Sequence, residues 1–170
     1  PGLCGWMLLW CLVTHVQGQV IEFLPFSSSV GEGDGSVSIV VTRTPATGTA
    51  SVDYSTVNGT ANGVDDYQPT AGTLNFAPGQ TFQIISIPIR EDTLQEANEF
   101  FLVVLSKAIG ATLGRGTNQV TILDNDATFH FTLASYATNE SGLSVTLDVL
   151  RTGNLVGDAS VGYRTVANTA

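Results

Sequence analysis

The chain has 170 residues, 15 acidic against 6 basic side chains, a formal charge of -9 and 43% hydrophobic content. That length suits one principal domain and that apolar content excludes generic disorder. The six scattered cations, Arg43, Arg90, Lys107, Arg115, Arg151 and Arg164, cannot build the basic face that nucleic-acid binding needs. Eighteen glycines with abundant Thr, Val and Ser make poor helices and good strands and turns, so the expected fold class is all-β.

In chain order, an uncharged apolar run from Leu3 to Val13 comes first. It is too short to span a bilayer and suits the apolar core of a secretory signal, with cleavage after Gly18 and a mature chain from Gln19. A buried strand or a membrane stub is the alternative, because no basic segment precedes the run. Both cysteines, Cys4 and Cys11, and both tryptophans, Trp6 and Trp10, lie here. The rest of the chain therefore has no disulfide and must rely on core size or a bound metal. Two sequons, Asn58-Gly59-Thr60 and Asn139-Glu140-Ser141, are compatible with export.

Seven segments with β character follow, called A to G: Val20 to Phe26, Ser36 to Arg43, Ala50 to Thr56, Gly72 to Phe76, Phe82 to Arg90, Glu99 to Leu105 and Thr117 to Leu123. Val37, Ile39 and Val41 alternate with polar neighbours in B, as do Ile85, Ile87 and Ile89 in E, so one side of each strand is buried. Turn signals such as Asn58-Gly59, Asn62-Gly63 and Pro78-Gly79 fall between the segments at the spacing of a β-sandwich. Pro88 predicts an edge position or a bulge, because proline cannot donate to a ladder. Tyr54, Tyr67, Phe76, Phe82, Phe100 and Phe101 read as core or loop packing.

The chain also repeats. Glu140 and Ser144 to Thr152 reproduce Glu32 and Ser36 to Thr44, an offset of 108 (140 - 32). This divides the sequence into the leader, 1–18, one complete copy, 19–126, and the opening three strands of a second, 127–170, the last of them near Ser160 to Thr165. Tandem arrays of one module build rods more often than enzymes.

If consecutive strands run alternately up and down, the A-B, C-D and E-F connections and the exit of G share one end. Ten of the fifteen acids belong to those connections: Glu32, Asp34, Asp65, Asp66, Glu91, Asp92, Glu96, Glu99, Asp124 and Asp126. Carboxylates so crowded repel one another and raise each other's pKa unless a cation intervenes. For one pair a merely solvating rim is the simpler reading. For four converging loops, all-oxygen donors without Cys or His point to calcium rather than zinc or copper, and magnesium prefers fewer protein ligands.

Several blocks carry a family resemblance: Glu32-Gly33-Asp34-Gly35, Asn58-Gly59-Thr60-Ala61 with Asp66-Tyr67, Gly72 to Gly79, Ile89-Arg90-Glu91-Asp92 with Glu96 and Glu99-Phe100-Phe101, and Val120 to Asp126. In order and spacing they resemble the Calx-beta domain, and the motif restarts at Glu140. The resemblance implies an immunoglobulin-like antiparallel sandwich of about seven strands, followed by a truncated second sandwich. It also implies Ca2+ ligands at Glu32, Asp66, Glu91, Asp92, Glu96, Glu99, Asp124 and Asp126, with a backbone carbonyl near Leu94. Two departures stand out: Glu91 replaces the usual Asp, and Asn125 interrupts the final acidic run, while Arg90 adds a positive charge beside the site.

The function expected from this reading is a calcium-binding structural or adhesion module of a secreted or cell-surface repeat protein. Its partners would be calcium ions, neighbouring Calx-beta repeats and extracellular matrix or cell-surface proteins. The alternative is a calcium-sensing regulatory domain of a membrane transporter such as a sodium/calcium exchanger. Catalysis is not expected, since exposed acids lack the apolar pocket that acid-base work needs, and His130 is the only histidine after the leader.

Overall fold

The computed structural model describes residues 18–156 and 158–167. The leader up to residue 17, with both cysteines and both tryptophans, lies outside the described residues. Two sheets face each other, one ordered β6-β3-β1-β8 and the other β2-β9-β7-β4-β5. The strands are β1 Val20–Phe23, β2 Ser27–Gly31, β3 Ser36–Thr44, β4 Ala50–Asn58, β5 Ala71–Phe76, β6 Phe82–Pro88, β7 Glu99–Ile109, β8 Thr112–Leu113 and β9 Thr117–Leu123. This is the expected all-β, immunoglobulin-like sandwich.

Alternation builds the core. Val37, Ile39 and Val41 on β3 meet Ile85 and Ile87 on β6 from one sheet, while Val52, Phe76, Phe101, Val103 and Val120 fill the layer from the other, and all are buried. Burying each such side chain contributes on the order of 1.5–3 kcal/mol. Among the aromatic residues assigned to packing, Tyr67, Phe76 and Phe101 are buried, whereas Phe82 is exposed on the outer face of β6. β6 is an edge strand, and Pro88 ends it.

Three features differ from the sequence expectation. Segment A holds only β1, which pairs antiparallel with β3; the chain then crosses at Leu24 and Pro25, and β2, which lies beyond that segment, pairs parallel with β9. Pro25 has no N–H to continue the first ladder, and its carbonyl accepts a hydrogen bond from buried Asn118 Nδ2 at 2.9 Å, which fastens the crossing. The short strand β8 adds a second parallel pairing, to β1. Arg43 is not a surface cation: it is fully buried, and it donates to the carbonyls of Gln80, Gly48 and Ala77 at 3.1, 2.7 and 2.8 Å, beside the Phe76 ring.

The second copy begins as the first does. β10 (Ala127–Phe131) pairs antiparallel with β11 (Val149–Gly153). Thr128 opposes Thr152 as Val20 opposes Thr44, and 128 - 20 equals 152 - 44, so the hairpin repeats the β1–β3 register at the offset of 108. The third strand expected at Ser160 to Thr165 is not formed. Its counterpart β4 is held between β5 and β7, and nothing equivalent flanks this segment among the described residues.

Candidate metal centre

Four connections meet at one end of the sandwich, and main-chain hydrogen bonds tie three of them together. Ile89 N donates to Gly35 O at 3.0 Å, joining the β6–β7 connection to the turn after β2. Arg90 N donates to Asp66 O at 2.9 Å, joining it to the β4–β5 connection. The acids of those three connections are therefore presented from an anchored backbone.

Glu32 opens a short 3-10 turn, Glu32–Asp34, closed by Gly35 at φ 77°, a left-handed conformation suited to glycine. Asp34 Oδ2 accepts from Gly31 N at 2.8 Å, so this acid braces the turn, and Glu32 is left buried at 8% exposure. In the β4–β5 connection Asn62 Oδ1 accepts from the amides of Val64 and Asp65, at 2.9 and 3.0 Å. Asn62 N donates to Asp66 Oδ2 at 2.6 Å. Tyr67 is buried and stacks on Phe101 with ring centroids 4.1 Å apart, and its hydroxyl donates to Asn58 Oδ1. This packing fixes the loop that carries Asp66.

From the β6–β7 connection come Asp92, whose Oδ1 accepts from Leu94 N at 2.6 Å, and Glu96, whose N–H donates to Asp124 Oδ1 at 3.1 Å. The carboxylate oxygens form two groups: Glu32 with Asp92 and Asp126, and Asp66 with Glu96 and Glu99, the atoms within each lying within 4.8 Å of one another. Asp124 lines the same cleft as Glu32, Asp66, Glu96 and Glu99 without joining either triad. Glu91 is also outside both, its oxygens 3.2 and 3.3 Å from Asn125 Nδ2. Asp65 accepts from Asn62 Nδ2 at 3.2 Å. Of the eight acids singled out in the sequence, the structure thus brings six into compact groups.

The electrostatics of this end are unfavourable as it stands. Burial first, then the charges of Asp92, Glu91, Asp126 and Asp124, push the Glu32 carboxyl up to about 7. Burial and then Asp124, Glu91 and Asp92 raise Asp126, and burial and then Asp66 raise Glu99. Arg90 Nε donates to Tyr67 O at 3.4 Å. The ion pair found among the described residues, Lys107 with Asp53 at 3.7 Å, does not involve these acids. Asp126 Oδ2 is buried with no hydrogen-bond partner. Asp126 belongs to a close group of three carboxylates, an all-oxygen donor set that fits a hard divalent cation.

A family model described as the Calx-beta domain matches residues 15–126 and again 124–170. The chain belongs to the Calx-beta family. It is 33% identical over 162 residues to sodium/calcium exchanger 1 of Canis lupus familiaris, covering 82% of this chain and 17% of that protein. It is 31% identical over 167 residues to the extracellular matrix organizing protein FRAS1 of Mus musculus, covering 93% of this chain and 4% of that protein. Among solved structures, the calcium binding domain CBD12 of CALX1.1 superposes with a TM-score of 0.61 at 32% identity, covering 66% of this chain and 48% of that one. The chain therefore spans a small part of either relative.

Sequence reasoning missed the asparagines and the Gln that organise this Calx-beta end. Asn98 Oδ1 accepts from Asp124 N at 3.2 Å. Asn154, in the second copy, donates its N–H to Asp126 O at 2.7 Å and its Nδ2 to Asp124 O at 3.1 Å. Gln95 Oε1 accepts from Thr128 and Thr152 at 2.8 and 3.3 Å. Gly153, at φ 90°, lies so close that a Cβ there would sit 2.6 Å from Asp126 O. The second hairpin therefore rests directly on the loops that carry the acids. The Gly153-Asn154 pair is a turn signal visible in the sequence, but its partners are far away along the chain.

Proposed function

We propose that this chain is a calcium-binding module of a secreted or cell-surface multi-repeat protein. In this reading Glu32, Asp92 and Asp126 hold one Ca2+, Asp66, Glu96 and Glu99 hold another, and Asp124 serves both. The observation that carries it is the pair of close carboxylate triads, with a buried Asp126 oxygen that has no hydrogen-bond partner. A bound divalent cation supplies the positive charge that turns mutual repulsion among these loops into attraction. Asp124 and Asp126 also bear the carbonyls on which Asn154 of the second copy rests, so order at the acids passes to the junction between copies, residues 19–126 forming one and 127–170 the start of the next. The likeness to FRAS1 and the two sequons support an extracellular setting, with matrix or cell-surface proteins as further partners. The carboxylates serve as ligands here rather than as acid-base catalysts.

The likeness to the sodium/calcium exchanger supports the second reading, a calcium-sensing regulatory domain of a transporter, about equally. Among the described residues no helix is long and apolar enough to cross a membrane. Calorimetric titration with calcium separates the two readings: extracellular modules bind at about 0.1–1 mM and sensors at about 0.1–10 μM. For either, the melting temperature should rise on adding calcium, by the equivalent of about 2.7 kcal/mol at a hundredfold excess over Kd. That rise should vanish in the double variant Asp124→Ala, Asp126→Ala. No calcium-dependent shift in the unmodified chain sinks the metal reading.

A further inference from the structure

The sequon Asn58-Gly59-Thr60 lies where β4 ends and the β4–β5 connection begins, and all three residues are exposed. Asn58 Oδ1 accepts two hydrogen bonds, one from Gly63 N at 3.1 Å and one from the hydroxyl of buried Tyr67. Gly59 N donates to Ala61 O at 3.2 Å, and Thr60 Oγ1 accepts from Phe100 N at 2.9 Å. Gly59 is also pressed against β7, for a Cβ there would lie 2.3 Å from Phe100 O. Asn58 Nδ2 is different. It makes no hydrogen bond among the described residues, whereas the amide nitrogens of Asn62, Asn118 and Asn125 each donate to an oxygen. Two donors hold the oxygen of the Asn58 carboxamide toward the loop, so the nitrogen is the end that the fold leaves unused.

We propose that Asn58 is an N-glycosylation site, its co-substrate an oligosaccharide carried on a lipid pyrophosphate. Nδ2 forms a bond to the anomeric carbon of the first sugar and loses one hydrogen as a proton. The bond from that carbon to the pyrophosphate oxygen breaks, and the lipid pyrophosphate leaves. The transfer requires a hydroxyl two residues on, which Thr60 supplies. In the folded chain that hydroxyl is tied to Phe100 N, so the transfer belongs to the nascent chain, before β7 closes on the loop. The fold has then to accommodate a bulky surface group. Asn58 accommodates it without losing a hydrogen bond: Oδ1 is untouched by substitution on the nitrogen, so Gly63 and Tyr67 keep their acceptor. The sugar stands at the acidic end without using a carboxylate of either triad, so glycan and ion are compatible. This inference rests on the secreted or cell-surface reading above, which brings the chain to the transferase.

The test uses a Ser141→Ala background, which removes the second sequon at an exposed residue. In that background the full chain is expressed in cultured mammalian cells, and residues 18–170 are expressed in parallel behind a cleavable secretory leader. Peptide mass spectrometry after amidase release in heavy-oxygen water marks an occupied asparagine, and thermal unfolding reports whether the secreted protein is folded. Asn58 is expected to be occupied in folded, secreted protein. Asn58→Asp, which keeps an oxygen acceptor for Gly63 and Tyr67, is expected to lose the glycan. An unoccupied Asn58 in the protein secreted by the added leader overturns the proposal, as does a glycan confined to misfolded protein retained in the cell, or one that survives Asn58→Asp. If the full chain is not exported while the version with the added leader is exported and occupied at Asn58, the secreted reading fails and the acceptor assignment stands. If that version too is unoccupied, both fail.

Discussion

Glu32 links the ion-free stability of the sandwich to pH, with a sign that is unusual for a carboxylate. Its pKa rises from 4.5 to about 7 because the group is buried and four acids surround it. The folded state then holds the proton more tightly than the unfolded chain, so stability falls as pH rises through this interval, with no penalty below about pH 4.5 and the full penalty above about pH 7. At roughly 1.4 kcal/mol per pH unit, the ion-free fold loses about 3 kcal/mol by pH 8. Replacing Glu32→Gln removes the charge while nearly preserving shape, so in chelator at pH 8 the variant should be more stable than wild type by up to that amount, roughly 10 °C in melting temperature. At pH 4.5 the two should coincide. Saturating calcium should reverse the order at pH 8, because the wild-type carboxylate is then an occupied ligand. The same proton competes with the ion, so wild-type calcium affinity should drop about tenfold between pH 8 and pH 6. Thermal unfolding followed by circular dichroism, with and without calcium, reads each quantity. If Glu32→Gln is no more stable than wild type in chelator at pH 8, or its advantage persists at pH 4.5, the electrostatic account is wrong.

Two further variants probe the opposite end and the junction. Arg43→Met should destabilise by about 3–5 kcal/mol in urea unfolding, because it orphans the carbonyls of Gly48, Ala77 and Gln80 at about 1–3 kcal/mol each, while calcium affinity of the folded fraction stays unchanged. Arg43→Lys should recover little of this, since an ammonium cannot reach three divergent acceptors as the planar guanidinium does. Asn154→Ala removes the hydrogen bond to the Asp124 carbonyl, worth about 1 kcal/mol. It should weaken calcium binding about fivefold in calorimetry and leave urea unfolding of the first copy within error of wild type. An unchanged affinity would mean that the second hairpin rests on the acids without influencing them.

Period-two alternation located the strands whose apolar residues alternate regularly, which is why segments B, D and G agree with β3, β5 and β9 to within a residue. It missed β2, a mostly polar strand, Ser27–Gly31, in which Val30 alone is buried. The segment Val20 to Phe26 runs past the end of β1 at Phe23, and Pro25 marks the crossing that precedes β2. The two residues of β8 are too few to show a period at all. Convergence of the acids was legible because it follows from chain direction alone: antiparallel neighbours return each second loop to the same end. The direction in which each carboxylate points was not. Asp34 and Asp65 sit in the right loops and spend their oxygens on Gly31 N and Asn62 Nδ2, and Glu91 faces Asn125. Such choices are settled by contacts dozens of residues apart, to which a local pattern is blind.

The two ends of the sandwich thus solve the same problem, buried charge, in opposite ways. Arg43 is surrounded by fixed carbonyl acceptors drawn from the two loops it abuts, so its charge is met by hydrogen bonds within the chain. At the other end the hydrogen bonds satisfy the backbone of the acidic loops far better than their carboxylates: Asp66 and Asp92 each brace a main-chain amide, while Asp126 keeps an oxygen with no partner and Glu32 is pushed toward protonation. A scaffold whose main-chain hydrogen bonds tie its loops together can remain folded while some of those charges are unmet. That is what an exchangeable ion requires, since the ion can then leave without taking the fold with it.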